Sequence, residues 1–258
     1  MKEKVVVFDL DGTLTRLPMI YLLTEKLISG RVFSARAREI YRQSEAHWNG
    51  CNAGFDDFIA DLISGFTSQL RGVSKPVVVQ VARELVFGDS IRYYKYTLSL
   101  LKRAQEMGYF SILLSHSPDF LIDLFGEKLE FDFTKGTFYP VDKDDFFLGS
   151  YEKGGRGYDK KEALLDIFEE LSGLESPPIS PRDQLEKLVI VGDSAADIPM
   201  LELATAAICF RPSADLLMFV SEEKREQRRF RVVEYKTVVE IDGAPVEDLE
   251  HHLKTILS

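Results

Sequence analysis

Two aspartates, Asp9 and Asp11, directly follow a short apolar run at residues 5–8. An uninterrupted run of this kind is typical of a buried strand. Side chains two positions apart in an extended chain point the same way, so both carboxylates can face one ligand. Gly12 then lets the backbone turn sharply away. Paired carboxylates before a turn suit a hard divalent cation, so the sequence predicts a metal site here.

Four further polar residues stand in comparable places. Asp193 ends another apolar run, and Asp197 follows one helical turn later. Ser115 also follows an apolar run, and its hydroxyl and the next backbone N–H groups could receive a phosphate oxygen. Lys160 begins a predicted helix and supplies a positive charge. Together these groups could hold a metal, hold a phosphoryl group and supply a nucleophile.

A parallel sheet would bring these groups together. Four short apolar runs predict strands, at residues 5–8, 110–114, 188–191 and 206–210. Helical segments lie between the later runs, and this alternation predicts an α/β fold, a mostly parallel Rossmann-like sheet with helices on both faces. Ligands bind at the carboxyl ends of the strands in such sheets.

The gap between the first two strands predicts an insert. It runs over residues 9–109, whereas a crossover unit needs roughly 30 residues. Apolar residues at helical spacing predict four helices: one from Ile20 that Gly30 ends, one at 34–48, one at 55–70, and one with Ser74 as its N-cap. We therefore expect two domains, a core at 1–15 and 90–258 and a helical cap at 16–89.

Other segments complete the predicted elements. We expect a helix over Ile91–Met107, with Asp89 or Ser90 as its N-cap and Gly108 at C′, and a second helix that begins near Lys160 with Asp159 as its N-cap. Residues 131–151 predict a β-hairpin or loop, and residues 221–231 predict a solvated helix face. The C-terminal segment predicts a strand followed by a helix near Pro245.

In their order along the chain, these residues resemble the four motifs of the haloacid dehalogenase (HAD) superfamily. The motifs correspond to Asp9-Leu10-Asp11-Gly12-Thr13, the strand ending at Ser115, Lys160 within 158–164, and Gly192 to Asp197. The resemblance spans residues 5 to about 215, and the insert is similar to the family's C1-type helical cap. Thr15 and the segment 115–118 are most similar to the subfamily that includes phosphoserine phosphatase.

The resemblance implies roles for the residues that react. Asp9 would be the nucleophile and would form an aspartyl-phosphate. Asp11 would protonate the leaving group and then deprotonate the attacking water. Ser115 and Lys160 would stabilise the transferring phosphoryl group.

The resemblance also implies Mg²⁺ as the cofactor. Its ligands would be the Asp9 carboxylate, the Asp11 backbone carbonyl and Asp193. Asp197, Gly12 and Thr13 would support the site.

Substrate binding is the least specified part of the site. Ser117 is an alternative phosphate contact to Ser115, and Lys161 stands beside Lys160. Arg16, His116 and Ser117 are the predicted substrate contacts. The residues after motif one and within motif two differ from the pattern usual in phosphoserine phosphatases, which leaves the identity of the substrate open.

The implied function is Mg²⁺-dependent hydrolysis of a small phosphomonoester. A phosphotransferase or phosphomutase of the same fold, or a catalytically silent binding protein, is the alternative. A net charge of −10, two distant cysteines and the lack of a long apolar segment predict a cytoplasmic protein. The resemblance implies a small-molecule phosphate ester as its partner. We expect neither nucleic acid nor membrane as a partner, and the oligomeric state stays open.

Overall fold

The computed structural model describes residues 1–51, 55–151, 159–223, 230–233 and 257. Its strands are β1 (Lys4–Phe8), β2 (Phe110–Pro118), β3 (Phe133–Thr137), β4 (Lys187–Gly192), β5 (Ala206–Phe210) and β6 (Phe230–Val233). Its helices are α1 (Met19–Ser29), α2 (Arg36–Cys51), α3 (Phe55–Leu70), α4 (Lys75–Phe87), α5 (Lys95–Glu106), α6 (Asp119–Leu129), α7 (Lys160–Ser172), α8 (Ile198–Leu201) and α9 (Ala214–Glu223).

The strands form one sheet in the order β3-β2-β1-β4-β5-β6, and each neighbouring pair is parallel. β1 lies between β2 and β4, so the carboxyl ends of these three strands meet. Its side chains alternate between the two faces: Val6 and Phe8 pack with the insert helices, α5 and α6, whereas Val5 and Val7 pack with α7, α8 and α9. The predicted α/β fold, with helices on both faces of a parallel sheet, is confirmed.

The four predicted apolar strands are present as β1, β2, β4 and β5, and β6 corresponds to the predicted C-terminal strand, whereas the edge strand β3 differs from expectation. The prediction of a hairpin or loop over residues 131–151 is wrong for β3, which pairs in parallel with β2. An edge strand buried mainly at Gly136 and Thr137 carries too little apolar signal to be recognised. β6 begins in the charged run read as a helix face. The helix expected near Pro245 lies outside the described residues.

The insert between β1 and α5 contains α1 to α4, as its helical spacing predicts. Gly30 is the C-cap of α1, and Gly108 follows α5 with a φ of +78°. Gly108 is at C′ as predicted, but the expected N-caps of α5, Asp89 or Ser90, are wrong, because this helix begins at Lys95 and has Tyr94 in the N-cap position. Residues 92–94 instead pair with the chain that follows β1 and are therefore extended.

The division into a core and a cap at residues 16–89 stays a prediction. One continuous apolar cluster contains insert side chains such as Leu23 and Phe66 together with Phe8 of the sheet. Among the described residues, no helix is both long and apolar enough to cross a membrane.

Candidate active site

The carboxyl ends of β1, β2 and β4 bring the predicted polar residues into one place. Asp9 follows β1, Ser115 lies within β2 three residues before its end, and Asp193 follows β4. Lys160 is the first residue of α7. The Asp159 carboxylate caps this helix by accepting hydrogen bonds from the backbone N–H groups of Lys161 and Glu162, as predicted, so the start of the helix and the direction of its first side chain are fixed.

Lys160 reaches into the cluster of carboxylates. Its Nζ lies 2.6 Å from Asp9 Oδ1 and 2.6 Å from Asp197 Oδ1, and only 3% of the lysine side chain is exposed. Lys161, the alternative in the sequence, instead pairs with Glu202 at 2.9 Å on the surface. The two carboxylates raise the pKa of Lys160 against the effect of its burial, so the amine stays charged.

Asp197 is fully committed to protein partners. Its Oδ2 accepts hydrogen bonds from the backbone N–H groups of Asp193 and Ser194 at 2.9 Å each. Burial by itself raises the pKa of Asp197, but the Lys160 charge and these bonds bring it below the usual value. With both oxygens occupied, Asp197 fits the predicted supporting role better than that of a metal ligand.

Asp9 and Asp193 leave oxygens available for a cation. Carboxylate oxygens of Asp9, Asp193 and Asp197 lie within 4.8 Å of one another. Burial raises the pKa of Asp9 to about 7, the Lys160 charge opposes this rise, and Asp197 adds to it. Burial also raises the pKa of Asp193 well above its usual value, with Asp197 and Asp9 contributing. Crowded buried carboxylates form the donor set that suits a hard cation such as Mg²⁺.

The turn after β1 fits closely around Asp193. Gly12 has a φ of +87°, and a Cβ there would lie 2.2 Å from Asp193 Oδ2, so glycine is required on both grounds. The Thr13 hydroxyl donates to Asp193 Oδ1 at 2.8 Å. The Thr97 hydroxyl of α5 in turn donates to the Thr13 carbonyl at 2.7 Å. The turn therefore orients the carboxylate that would bind the metal.

Asp11 turns its carboxylate away from this cluster. Its Oδ1 accepts a hydrogen bond from the Met19 N–H at 2.7 Å, and its Oδ2 accepts one from the Ser117 hydroxyl at 2.7 Å. Burial raises the pKa of Asp11, although both bonds oppose the rise. A carboxyl with a raised pKa two residues from Asp9 suits proton transfer.

The predicted substrate contacts occupy different environments. Ser117 bonds to Asp11, whereas Ser115 is buried and its Oγ accepts the Ser117 N–H at 3.3 Å. His116 is half-buried, and its carbonyl accepts the Thr137 hydroxyl of β3 at 2.7 Å. Arg16 is exposed at the entrance to the insert. The structure thus gives the Ser117 hydroxyl a partner in the protein, and its contact with a phosphate stays a prediction.

The family model of haloacid dehalogenase-like hydrolases matches residues 6–202, which include all of these groups. The chain belongs to this family. No curated protein matches the sequence.

Solved structures share the fold of this HAD-family chain. A protein of unknown function from Bordetella pertussis Tohama I aligns with a TM-score of 0.69 at 18% identity, covering 91% of this chain and 99% of its own. A phospho-aspartyl intermediate analogue of phosphoserine phosphatase gives 0.56 at 22% identity, covering 93% and 98%. Phosphoserine phosphatase from T. onnurineus gives 0.53 at 19%, covering 100% and 96%.

Sequence reasoning missed several residues that shape this HAD-family site. Thr97 supports motif one, and a Cβ at Gly192 would lie 2.6 Å from the Asp197 side chain. The loop after β5 also reaches the site, because the Ser213 N–H donates to the Asp193 carbonyl at 2.7 Å and the Arg211 guanidinium contacts the Tyr94 hydroxyl. The position of Gly192 directly before Asp193 could have indicated a close backbone approach at the site. Nothing in the sequence around Thr97 or Arg211 indicates that these residues contribute to it.

Proposed function

We propose that this protein is a Mg²⁺-dependent phosphomonoester hydrolase that acts through an aspartyl-phosphate on Asp9. One observation carries the proposal: a buried carboxylate holds one oxygen against Lys160, and among the described residues nothing donates to its other oxygen. The raised pKa of Asp11, two residues away, supports a role as proton donor. A cytoplasmic location and a small-molecule phosphate ester as the substrate are part of this proposal.

The chain's own residues account for the two chemical steps. The Asp9 carboxylate attacks phosphorus, the ester oxygen departs with the bonding electrons, and the Asp11 carboxyl gives that oxygen its proton. Asp11 then takes a proton from water as the water oxygen attacks phosphorus, which releases phosphate and regenerates Asp9. Lys160 and Ser115 stabilise charge on the phosphoryl oxygens.

Mg²⁺, held by Asp9, Asp193 and the Asp11 carbonyl, would neutralise phosphoryl charge when bound. Two features of the protein support this proposal: Thr13 and Gly12 orient Asp193, and Asp197 keeps Lys160 in place. The likeness to a phosphoserine phosphatase described as a phospho-aspartyl intermediate analogue supports the proposal at the level of the fold.

The test is hydrolysis of p-nitrophenyl phosphate with Mg²⁺ or with EDTA. We expect turnover only with Mg²⁺, and we expect Asp9→Asn to lower kcat by about a thousandfold or more, because an amide does not attack phosphorus. Asp166→Asn makes the same change at an exposed position of α7 and should leave the rate unchanged. Near-normal turnover by Asp9→Asn, or full activity in EDTA, would refute the proposal, and transfer to an added alcohol would indicate a phosphotransferase.

A further inference from the structure

Two arginines face each other where the chain enters and leaves the helical insert. Thr15 and Tyr93 form an antiparallel bridge, and the Arg16 N–H donates to the Arg92 carbonyl at 3.0 Å. This register sets Arg16 directly opposite Arg92 on the same face of the paired segments. Opposed residues have Cβ atoms about 4.5–5.5 Å apart, and like charges in such a pair repel each other.

Neither arginine has a counter-charge in the described part of the chain. Both side chains are exposed, and neither guanidinium takes part in an ion pair or side-chain hydrogen bond with a described residue. The paired backbones hold the first atoms of both side chains at one edge. An anion between the guanidinium groups would remove the repulsion.

The same arginines line a cavity of about 300 Å³ beside the candidate active site. Leu17, Met19 and Leu22 provide its apolar walls. The Met19 backbone N–H donates to Asp11, so the cavity adjoins the residue that would protonate the leaving group. An apolar wall next to two guanidinium groups suits a short carbon chain that ends in an anion.

We propose that Arg16 and Arg92 together form a binding site for a second anionic group of the substrate. This inference rests on the proposed function and extends the expectation for Arg16 by adding Arg92. The substrate class is a phosphomonoester that carries a carboxylate or a second phosphate a short carbon chain away from the ester. The phosphoester lies against Asp9, and its leaving group extends past Asp11 into the cavity.

The experiment compares substrates that differ in the second anion. Wild type, Arg16→Gln and Arg92→Gln are assayed with Mg²⁺ on 3-phosphoglycerate, glycerol bisphosphate and glycerol 3-phosphate. Wild-type kcat/KM should be at least about tenfold higher for the carboxylate or the bisphosphate ester, which identifies the anion. Each variant should lose about tenfold or more on that ester and less than about twofold on glycerol 3-phosphate.

Arg42→Gln is the matched control, because Arg42 is an exposed arginine of α2 that does not line the cavity. The Arg42→Gln variant should keep the wild-type kcat/KM both for the favoured ester and for glycerol 3-phosphate. Equal wild-type kcat/KM values for all three esters would overturn the second-anion site. So would equal losses in the arginine variants on glycerol 3-phosphate and on the esters with a second anionic group. Neither result would contradict the proposed hydrolase activity.

A binding measurement keeps the inference testable if no ester is hydrolysed, a result that would count against the proposed function alone. The same three compounds are titrated into Asp9→Asn with Mg²⁺ by calorimetry. The favoured ester with a second anionic group should bind at least about tenfold more tightly than glycerol 3-phosphate, and Arg92→Gln in that background should remove the difference. Equal affinities would overturn the site.

Discussion

At the scale of single residues, the site concentrates negative charge that the described cations do not neutralise. Asp9, Asp197 and the half-buried Asp193 lie together, and among the described residues Lys160 is the cation that pairs with them. Hydrogen bonds offset the cost of burying the Asp197 carboxylate. Among the described side chains, only Thr13 donates a hydrogen bond to the Asp193 carboxylate. We propose that this arrangement costs stability in the absence of a metal and favours binding of one, as is common where function opposes stability.

Asp193→Asn should stabilise the metal-free protein and remove its response to Mg²⁺. The folded-state pKa of Asp193 is raised, so the native state binds this proton more tightly than the unfolded state does. Its contribution to stability therefore falls as pH rises from about 3.9, the unfolded value, through the folded pKa.

In EDTA at pH 7 we expect the melting temperature of Asp193→Asn to rise by about 2–4 °C, which corresponds to about 1 kcal/mol. Added Mg²⁺ should raise the melting temperature of wild type and leave that of the variant unchanged. Asp166→Asn serves as the exposed control. A lower melting temperature for Asp193→Asn in EDTA would contradict the electrostatic account.

Ser117→Ala should change the pH dependence of hydrolysis. The Ser117 hydroxyl stabilises the charged form of Asp11, so its removal raises the Asp11 pKa further. If kcat/KM requires protonated Asp11, its fall at alkaline pH should move to higher pH in the variant. We also expect a loss of rate of up to about tenfold, the value of one hydrogen bond. An unshifted profile would show that Ser117 does not act through Asp11.

At the scale of helices, a polar network connects α1 and α2 within the insert. The Arg38 guanidinium donates to both oxygens of Glu25, and the fully buried Tyr41 donates to Glu25 Oε1. The Arg38 hydrogen bond lowers the pKa of Glu25 against the partial burial of the carboxyl, and Tyr41 adds to the effect. This carboxylate therefore orients the first pair of insert helices.

Glu25→Gln should destabilise the protein at neutral pH and not at acidic pH. Because the folded pKa of Glu25 is depressed, its contribution is fully present above about pH 4.3, the unfolded value, and disappears as pH falls through the folded pKa. At pH 7 we expect a loss of about 2–4 °C in melting temperature, since a partly exposed pair contributes about 1 kcal/mol at most. Glu45→Gln is a milder control, as Glu45 accepts only the Tyr21 hydroxyl in the described structure. A loss that is equal at pH 7 and pH 3.5 would contradict this role.

At the scale of the whole molecule, backbone hydrogen bonds between described residues fasten the insert to the core at two places. The connectors at residues 14–16 and 92–94 pair with each other, as described above. The turn between α3 and α4 also pairs with the loop that follows β3: the Gly72 N–H donates to the Phe147 carbonyl at 2.8 Å, and the Lys75 N–H donates to the Asp145 carbonyl at 2.8 Å. Opening of the insert over the site would have to break this second set of bonds.

Lys75→Pro should loosen that second fastening. Lys75 is the first residue of α4, where proline fits the helix, and Ser74 has an extended conformation compatible with a following proline. The substitution removes the one N–H that bonds to Asp145. We expect faster amide exchange at 72–74 and 141–147 and a melting temperature lower by about 2–4 °C for a bond of about 1 kcal/mol.

Lys75→Ala is the matched control for that experiment, because it removes the same side chain and keeps the N–H. It should exchange like wild type in both segments. Unchanged exchange in Lys75→Pro would mean that the α3–α4 turn is held by its apolar contacts instead.

The sequence by itself determined the parts of this protein that depend on local pattern. The strand ends at Asp9 and Asp193, the helix start at Lys160 and the full extent of α3 follow from apolar periodicity, turn residues and capping. These features depend on side chains that are close to each other in the sequence. A single short segment is therefore enough to predict each strand end or helix start.

Only the tertiary structure decided which distant groups become partners. The bond from Ser117 to Asp11 joins residues 106 positions apart, and the bond from Thr97 to Thr13 joins residues 84 apart. The opposition of Arg16 and Arg92 depends on a register between two connectors on either side of a four-helix insert. Partners of this kind are selected by how helices and strands pack, and a hydroxyl or a guanidinium looks the same in the sequence wherever packing directs it.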